Sequence, residues 1–506
     1  MNTFKRKALF TAVLAGLGAA AGTAEAVYLS PNNEGQVLVY PYYTVQSSTG
    51  GNAWNTYISV VNTTPRAKVV KVRFLEGKHS AEVLDFNLYL SPNDMWTGAV
   101  VPSSSDPAAP GHLVTADVSC TNPPIPSTGV DFRNYLYDST YDSILGVGLD
   151  RTREGYADMI EMATLTGAAA AAVTHNSAGI PANCAAVQGS TVVLNSMEAP
   201  GGGLIGTGTL INVNSGTDSG YKAEALDAFI GAVHYTDPGF LTPNLSTADP
   251  ISVVINAGGL DAAGSSTLAT VYRSDWAGQS TVVAGSQATA AVFMHSSILN
   301  EYVLDNATAS LTDWVITQPL KRLFVSDISA TAPYTKVLVT SGACETISFT
   351  YFNREEASAA ATGSDFSPLP PSAPANSLCW ESTVLSVRSN DAHTNADPTS
   401  SAVLGSKNLT NVNVKGFQNG WARLTFTGTN AVGGMGSAGT SDRTAVNSAT
   451  GAIAAGTLAA QTFFGLPSTG FMIRTFSNGT LTCGTASCQG NYSSIFRHSF
   501  ITTIAP

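Results

Sequence analysis

Residues 70–90 read VKVRFLEGKHSAEVLDFNLYL and contain the clearest structural pattern of the chain. In the first half, the apolar Val70, Val72 and Phe74 alternate with the charged Lys71 and Arg73. Successive side chains of a β-strand point to opposite faces, so this period of two predicts a strand with one apolar and one charged face. Strands of this kind are buried on one face and wetted on the other, as in antiparallel sandwiches.

The second half of this stretch repeats the pattern. One face carries Leu84, Phe86, Leu88 and Leu90, and the other carries Asp85, Asn87 and Tyr89. We expect the apolar residues of both halves to share one sandwich core. Replacing Phe86 by alanine should then cost about 3–5 kcal/mol of stability, whereas replacing the solvent-facing Asp85 should cost less than about 1 kcal/mol.

Similar alternating runs recur along the chain, bounded by Gly, Pro, Asn and Ser. They cover residues 56–62, 112–119, 155–162, 204–214, 312–325, 346–353, 411–417, 421–427 and 470–476. Helical patterns are weak, and only residues 221–230 and the alanine stretch at 168–173 suggest short helices. The sequence therefore predicts an all-β fold of antiparallel β-sandwich units, Ig-like or jelly-roll-like, with long loop insertions and few short helices.

The first 26 residues have the layout of a secretory signal peptide. A basic KRK triplet at 5–7 precedes an apolar run at 8–21, and the AEA sequence at 24–26 supplies the small residues of a cleavage site. The apolar run is shorter than the roughly 20 residues that span a bilayer, and no later segment is apolar enough to do so. We expect an exported mature protein that begins near Val27 and has no transmembrane segment. A buried N-terminal helix is the alternative.

The composition of three segments indicates where the rest of the chain is divided by connections and loops. Residues 102–110 and 365–374 are rich in proline and predict irregular connections, the second a polyproline-like arm. Residues 428–456 consist mainly of small and polar residues and predict a mobile loop. The predicted organisation is a signal peptide (1–26), an N-terminal β-sandwich unit (27–110), a central β-rich region that completes the first unit or forms a third (111–340), and a C-terminal β-sandwich unit with the mobile loop (341–506).

Charge is unusually sparse. Charged residues make up 12% of the chain, against roughly 25% in ordinary soluble domains. The net charge is −11, and removal of the signal peptide, with its three cations and one anion, changes it to −13. An acidic surface repels nucleic-acid phosphates, so we expect no nucleic-acid partner. Sparse charge also eases packing between subunits, because fewer ions must be desolvated at a contact.

Six cysteines in an exported chain predict disulfides. Sequence order favours pairs that close local loops, namely Cys120–Cys184, Cys344–Cys379 and Cys483–Cys488. Zinc binding is the alternative, but the chain lacks a CxxC pair or a neighbouring CxH cluster.

Catalytic motifs are missing from the sequence. The seven histidines show no HExxH spacing, and GxSxG, P-loop and CxxCH patterns are absent. Glu355 and Glu356 at a predicted strand end and Glu381 after the proline-rich arm would form a glycosidase carboxylate pair if they met in space. A charged strand end is usually solvated instead. The sequence therefore predicts no catalytic residue and no enzymatic activity.

Calcium is the metal that the composition favours most. Acidic residues and asparagines cluster at 138–150, 218–227 and 237–249, and calcium accepts such oxygen ligands at irregular spacing. No segment matches an EF-hand or a nonapeptide repeat, so solvated loop acids remain the alternative. The candidate ligands are Asp138, Asp142, Asp237 and Asp249. No other cofactor is predicted.

Several segments resemble a largely uncharacterised family of exported proteins of Gram-negative bacteria, labelled surface-layer or cell-surface proteins. The resemblance is carried by VKVRFLEGKHSAEVLDFNLYLSPNDMWTG (70–98), REGYADMIEMA (153–163), GTGTLINVNSG (206–216), TDWVITQPLKRLFV (312–325), FSPLPPSAPANSLCWE (366–381) and SIFRHSF (494–500). It spans most of the mature chain. The resemblance implies an exported, β-rich cell-surface protein and supplies no catalytic residues.

Three functions follow from these observations. The first is a secreted structural protein of the bacterial cell surface, a self-assembling surface-layer or extracellular-matrix subunit whose main partner is itself. The second is a secreted adhesin or carbohydrate-binding module that uses cell-surface polysaccharide, with Trp54, Trp96 or Trp421 as sugar-stacking candidates; tryptophans at strand ends are more often core residues. The third is an outer-membrane β-barrel, which the charges opposite the apolar strand faces disfavour.

Overall fold

The computed structural model describes residues 26–48, 52–137, 142–188, 195–260, 266–366, 376–426, 434–436, 441–447, 453–458, 461–483 and 486–505. These residues form an all-β protein built mainly from antiparallel strand pairs in sheets that pack face to face, which confirms the predicted fold class; Ser382–Arg388 and Leu409–Asn413 pair in parallel. The predicted signal peptide lies outside the described residues except for Ala26, and residues 367–375 of the proline-rich arm do as well.

The first sandwich consists of two sheets. Sheet 1 contains, in spatial order, Tyr28–Leu29, Glu224–Asp227, Val37–Thr44, Glu154–Leu165, Lys68–Glu76, Glu82–Leu90 and Cys120–Asn122, with Met197–Glu198 paired to Glu154–Leu165. Sheet 2 contains Val130–Asp131, Gly111–Val114, Met95–Pro102, Asn55–Asn62, Leu204–Asn212 and Thr217–Lys222. The sheets enclose a core in which Val72 and Met159 of sheet 1 cluster with Ile58 and Trp96 of sheet 2.

The second sandwich has the same construction. Sheet 3 contains Leu409–Asn413, Ser382–Arg388, Leu311–Thr317, Thr469–Cys483 and Ala486–Arg497. Sheet 4 contains Ser358–Ala360, Glu345–Asn353, Asn419–Phe426, Ser297–Val303 and Ser499–Ile501, with Ser377–Leu378 paired to Glu345–Asn353. Trp314 of sheet 3 and Phe349 of sheet 4 meet in the core with ring centroids 5.5 Å apart.

Further strands form a four-stranded sheet and three small ones. The four-stranded sheet 5 contains Ile251–Leu260, Ser266–Asp275, Ser441–Asn447 and Ile453–Leu458; the small sheets pair Gly434–Gly436, Thr462–Phe464 and Thr503–Ala505, Met294–His295 with Leu466–Pro467, and Ser47–Ser48 with Asn52–Ala53. The predicted loop at 428–456 thus contains strands, and its remaining residues lie outside the described ranges. Its strand Ser441–Asn447 pairs with Ser266–Asp275, a partner too distant in sequence for local composition to indicate.

Helices are few and short, as predicted. The α-helices are Gly167–Val173, Thr281–Phe293 and Lys321–Phe324; the 3-10 helices are Ser143–Leu145, Leu149–Arg153, Cys184–Val187, Asn306–Thr308, Gly363–Asp365 and Ala392–Asn395. The helix expected at 168–173 is confirmed. Among the described residues, no helix has both the length and the apolarity needed to cross a membrane.

The helix expected at 221–230 is wrong, because this segment supplies two strands. Thr217–Lys222 pairs with Leu204–Asn212, and Glu224–Asp227 pairs with Val37–Thr44. Ala223 and Ala225 face one core cluster, whereas Leu226 faces the other. Burial of the side chains on both faces of a sheet therefore outweighs the helix propensity of the alanines in this segment.

The predicted shared core of residues 70–88 is confirmed. Five of the six side chains are fully buried in one cluster and the sixth packs against it; they are Val70, Val72, Phe74, Phe86, Leu88 and, at the margin, Leu84. The two strands pair antiparallel, with Val72 opposite Phe86.

The second face of these strands is buried rather than wet, which corrects the expectation from alternation. Every residue of Lys68–Glu76 is buried. Lys71 Nζ lies 2.6 Å from Asp85 Oδ2, and Arg73 Nε lies 2.7 Å from Glu82 Oε2. Buried charges persist when they are paired, so the charged face forms ion pairs under a cover of other residues.

Residues 228–250, called the covering segment below, supply part of that cover. The Phe240 carbonyl accepts a hydrogen bond from Lys71 Nζ at 2.7 Å, and the backbone N–H of Gly239 donates to Asp85 Oδ2 at 2.8 Å. The segment is thus anchored to sheet 1 by the charged residues that it buries.

The two sandwiches share buried contacts. Val315 and Phe471, on the face of sheet 3 that points away from sheet 4, belong to the core cluster of the first sandwich. The edge strand Thr217–Lys222 of sheet 2 packs beside the edge strand Ala486–Arg497 of sheet 3, and Tyr221 stacks on Phe471 at 5.0 Å. Each strand therefore shields an edge of the other, which removes a template for unwanted strand pairing.

Strand pairing also runs across the predicted unit boundaries. Gly111–Val114 pairs with Met95–Pro102 across residue 110, and Leu311–Thr317 pairs with Ser382–Arg388 across residue 340. The division of the chain into folding units stays a prediction.

Candidate functional site

Two of the three predicted disulfides lie within the described residues. Cys120–Cys184 and Cys344–Cys379 are bonded as predicted. The side chains of Cys483 and Cys488 lie outside the described part of the structure, so their pairing stays a prediction.

The predicted calcium ligands occupy separate places. Asp142 is buried and bonded to Arg322, with Oδ2 2.9 Å from Nη2, and to His79, with Oδ1 2.9 Å from Nδ1. Although burial disfavours its charge, these hydrogen bonds hold the pKa of Asp142 below its ordinary value.

Two further candidates lie on the covering segment, Asp237 near its middle and Asp249 at its end. Asp237 accepts a hydrogen bond from Tyr235, and Asp249 accepts one from the backbone of Gly231. Asp138 lies outside the described residues. Within the described ranges, no three His, Cys, Asp or Glu side chains are grouped as a metal site requires. Calcium binding between neighbouring copies stays a prediction.

The carboxylates considered for a glycosidase occupy contrasting environments. Glu381 is fully buried, and burial raises its pKa well above the ordinary value. Glu355 is exposed and lies 3.9 Å from Arg354. The positions of these carboxylates do not test whether the chain is an enzyme, so the absence of enzymatic activity stays a prediction.

A pocket of about 230 Å³ lies where the covering segment meets both sandwiches, and we call it the junction pocket. Its walls are mainly apolar, and its polar lining includes Arg73, Glu82, Ser80, Asp158 and Arg322. Burial raises the pKa of Asp158 to about 6, and the attraction of Arg73 offsets this only in part. Asp158 Oδ1 has no hydrogen-bond partner among the described residues. The pocket therefore holds a buried carboxyl group whose pKa lies above its ordinary value.

The rim of the junction pocket is apolar and exposed. Leu241 of the covering segment is 50% exposed, and Leu323 of the Lys321–Phe324 helix faces the same opening. Phe240, beside Leu241, is also exposed. These side chains stand on an anchored backbone, since Lys71 binds the Phe240 carbonyl. The rim is therefore an apolar surface that is open to solvent.

A second cleft, of about 320 Å³, lies between the sandwiches near Trp54. It is lined largely by hydroxyl and amide side chains, together with His393, whose two ring nitrogens have no hydrogen-bond partner in the described part of the chain. The Arg388 guanidinium borders the cleft but is occupied by the carbonyls of Ser400 and Asp397.

The three candidate sugar-stacking tryptophans differ in how far they are buried. Trp54 and Trp96 are buried in the first sandwich core. Trp421 is 37% exposed on sheet 4 and stacks on Phe352, with ring centroids 4.1 Å apart and 7° between the ring planes. Of the three, only Trp421 offers ring surface to a ligand.

Local sequence explains why Trp421 faces outward. Within Asn419–Phe426, Ala422 and Leu424 point into the core, so Trp421 and Arg423 point to solvent. Gly420 allows the neighbouring strand to approach, because a Cβ there would lie 1.7 Å from the carbonyl oxygen of Phe352. This alternation could have identified Trp421 and Arg423 from sequence, whereas Phe352 required the strand register.

No family model, curated protein or solved structure matches the chain.

Proposed function

We propose that the chain is an exported structural protein of the bacterial cell surface whose copies assemble into a surface layer or extracellular matrix. The observation that carries the proposal is the exposed apolar rim of the junction pocket, formed by Phe240, Leu241 and Leu323. Burying apolar side chains between copies stabilises association by about 25 cal/mol per Å² removed from water. The rim would be covered by a second copy of the chain.

Two other features support this proposal. The Cys120–Cys184 and Cys344–Cys379 disulfides are typical of proteins outside the reducing cytoplasm. Because the two sandwiches share buried contacts, the subunit holds its contact surfaces in fixed relative positions. The sparse charge lowers the desolvation cost of contacts between copies.

Calcium has a defined role in the proposed assembly. Mature subunits with a net charge of −13 repel one another, and the repulsion reaches over a Debye length of about 8 Å in 0.15 M salt. Asp237 and Asp249 lie on the covering segment that carries two of the rim side chains. Calcium shared between copies would reduce the repulsion there and add directional contacts.

The test uses purified mature protein at neutral pH, observed by light scattering and negative-stain electron microscopy. We expect ordered sheets or filaments in millimolar calcium, dissolution by a chelator, and weaker recovery with magnesium, which releases its water reluctantly. A protein that stays monomeric at high concentration in calcium would contradict the proposal.

Variants test the rim directly. Leu241→Ser and Leu323→Ser should each weaken association about tenfold, since tenfold corresponds to about 1.4 kcal/mol of lost contact. Val213→Ser is the matched control, because Val213 is an exposed apolar residue on a different turn. Equal assembly by all three variants would refute the assignment of the rim as the contact.

A further inference from the structure

The solvent face of sheet 4 carries a row of side chains that spans three adjacent strands. Phe352, Trp421 and Glu301 are register partners on Glu345–Asn353, Asn419–Phe426 and Ser297–Val303. Adjacent strands lie about 4.8 Å apart, so the row is about 10 Å long. All three side chains lie on the face opposite the sandwich core.

The aromatic pair at one end of this row is held in place from below. The Tyr302 hydroxyl donates to the Phe352 carbonyl at 3.1 Å, across Gly420. Phe352 covers one face of the Trp421 indole, and Glu301 is the register partner of Trp421 on the strand at its other side. The indole is therefore preoriented and loses little conformational entropy when a ligand stacks on it.

The row continues beyond Glu301 into sheet 3. Arg474 Nη1 lies 3.3 Å from Glu301 Oε2, and the Arg474 guanidinium lies 4.7 Å from the ring centroid of the exposed Phe496. Two charged, hydrogen-bonding side chains thus lie between the Phe352–Trp421 pair and Phe496. We call these five residues, Phe352, Trp421, Glu301, Arg474 and Phe496, the aromatic band.

One cation beside the aromatic band is unpaired. Arg423 is exposed two residues beyond Trp421 on the same strand face, and it has no ion-pair partner in the described part of the chain. By contrast, Arg474 is neutralised by Glu301. A free guanidinium is a site for a carboxylate, which it binds through two parallel hydrogen bonds.

We propose that the aromatic band and Arg423 bind an anionic polysaccharide that carries carboxylate sugars. The Trp421 ring stacks on the apolar face of a sugar, Arg423 pairs with a sugar carboxylate, and Glu301 and Arg474 bind hydroxyl groups along the chain. The elongated band suits a polymer better than a single sugar. Nucleic acid is disfavoured because a phosphate backbone is bound by several cations together, whereas Arg474 of the band is paired with Glu301 and only Arg423 lacks an ion-pair partner among the described residues of this surface. This binding does not depend on self-assembly of the chain.

The test is affinity electrophoresis of the mature protein in native gels that contain polygalacturonate, a neutral hydroxyethylcellulose or single-stranded DNA. We expect polygalacturonate to retard the protein most strongly. Trp421→Ala should weaken retardation by polygalacturonate about tenfold or more. Arg423→Gln should weaken it about tenfold while leaving any weak retardation by the neutral polymer unchanged.

Matched controls separate the site from general effects. Tyr135→Ala removes an exposed aromatic ring elsewhere, and Arg66→Gln removes an exposed arginine of the first sandwich; neither should change retardation. Circular dichroism and thermal melting show whether each variant is folded, and Arg423→Gln tests the site if Trp421→Ala does not fold. The proposal would be overturned if polygalacturonate did not retard the protein or if DNA retarded it more strongly. It would also be overturned if both glycans retarded the protein equally and Arg423→Gln changed neither retardation.

Discussion

Replacing Asp85, which forms an ion pair with Lys71, tests whether the charged face of the strands at 70–90 is buried or wet. Alternation alone places Asp85 on a wet face, where its loss would cost less than about 1 kcal/mol. In the structure the Lys71 side chain is 0% exposed and the Asp85 side chain is 14% exposed. Asp85→Ala leaves a buried ammonium group whose one remaining hydrogen-bond partner among the described residues is the Phe240 carbonyl. It also leaves the N–H of Gly239 unbonded.

The magnitude follows from these contacts. Removing one partner of a buried ion pair typically costs about 3–5 kcal/mol, because the remaining charge stays desolvated. The partial exposure of Asp85 admits some water, so we expect a loss of about 3 kcal/mol in the free energy of unfolding. Arg66 and Glu198 provide the control, since their ion pair has the same 2.6 Å distance but side-chain exposures of 48% and 59%. Glu198→Ala should cost less than about 1 kcal/mol.

Urea unfolding of both variants at pH 7, followed by tryptophan fluorescence, measures the difference. The double variant Lys71→Met, Asp85→Ala should recover much of the loss, because no buried charge is then left without a partner. Raising the salt concentration to 1 M should leave the effect of Asp85→Ala largely unchanged, since buried pairs are screened weakly. If Asp85→Ala and Glu198→Ala differ by less than about 0.5 kcal/mol, the burial argument is refuted.

Three further predictions concern the core, a strand contact and acid stability. Phe86→Ala should lower the free energy of unfolding by about 3–5 kcal/mol in the same urea assay; a loss under about 1 kcal/mol would show that the shared core is wrong. Gly420→Ala should cost about 1–3 kcal/mol because its Cβ would collide with the neighbouring strand, whereas Gly416→Ala, with open space around it, should be nearly neutral; equal effects would contradict the contact. Burial, helped by the charge of a neighbouring arginine, lowers the pKa of His498 from 6.5 to about 3, so the unfolded chain binds a proton first as the pH falls. Stability is therefore lost between about pH 6.5 and 3, by about 2 kcal/mol at pH 5 for this residue. Between pH 7 and pH 5, the His498→Gln variant should lose less free energy of unfolding than the wild type. His112→Gln is the control, because His112 is partly exposed. If His498→Gln left the pH dependence of stability unchanged, the assignment would be refuted.

Local sequence was sufficient wherever one structural element or one short loop decided the outcome. The alternation at 70–90 identified both the strands and the apolar residues that share a core. Loop-local spacing identified the Cys120–Cys184 and Cys344–Cys379 pairs. The same alternation in Asn419–Phe426 places Trp421 outward, so half of the aromatic pair could be predicted without a structure.

Tertiary structure decided what covers each face. Period-two alternation states which residues share a face, but it does not state whether that face meets water. The charged face of Lys68–Glu76 is buried because the covering segment, more than 150 residues later, supplies hydrogen-bonding partners for Lys71 and Asp85. The segment at 221–230 forms strands because Val37–Thr44 is available as a partner. Phe352 lies beside Trp421 only through strand register. Burial and register arise from contacts between distant parts of the chain, so local sequence patterns cannot determine them.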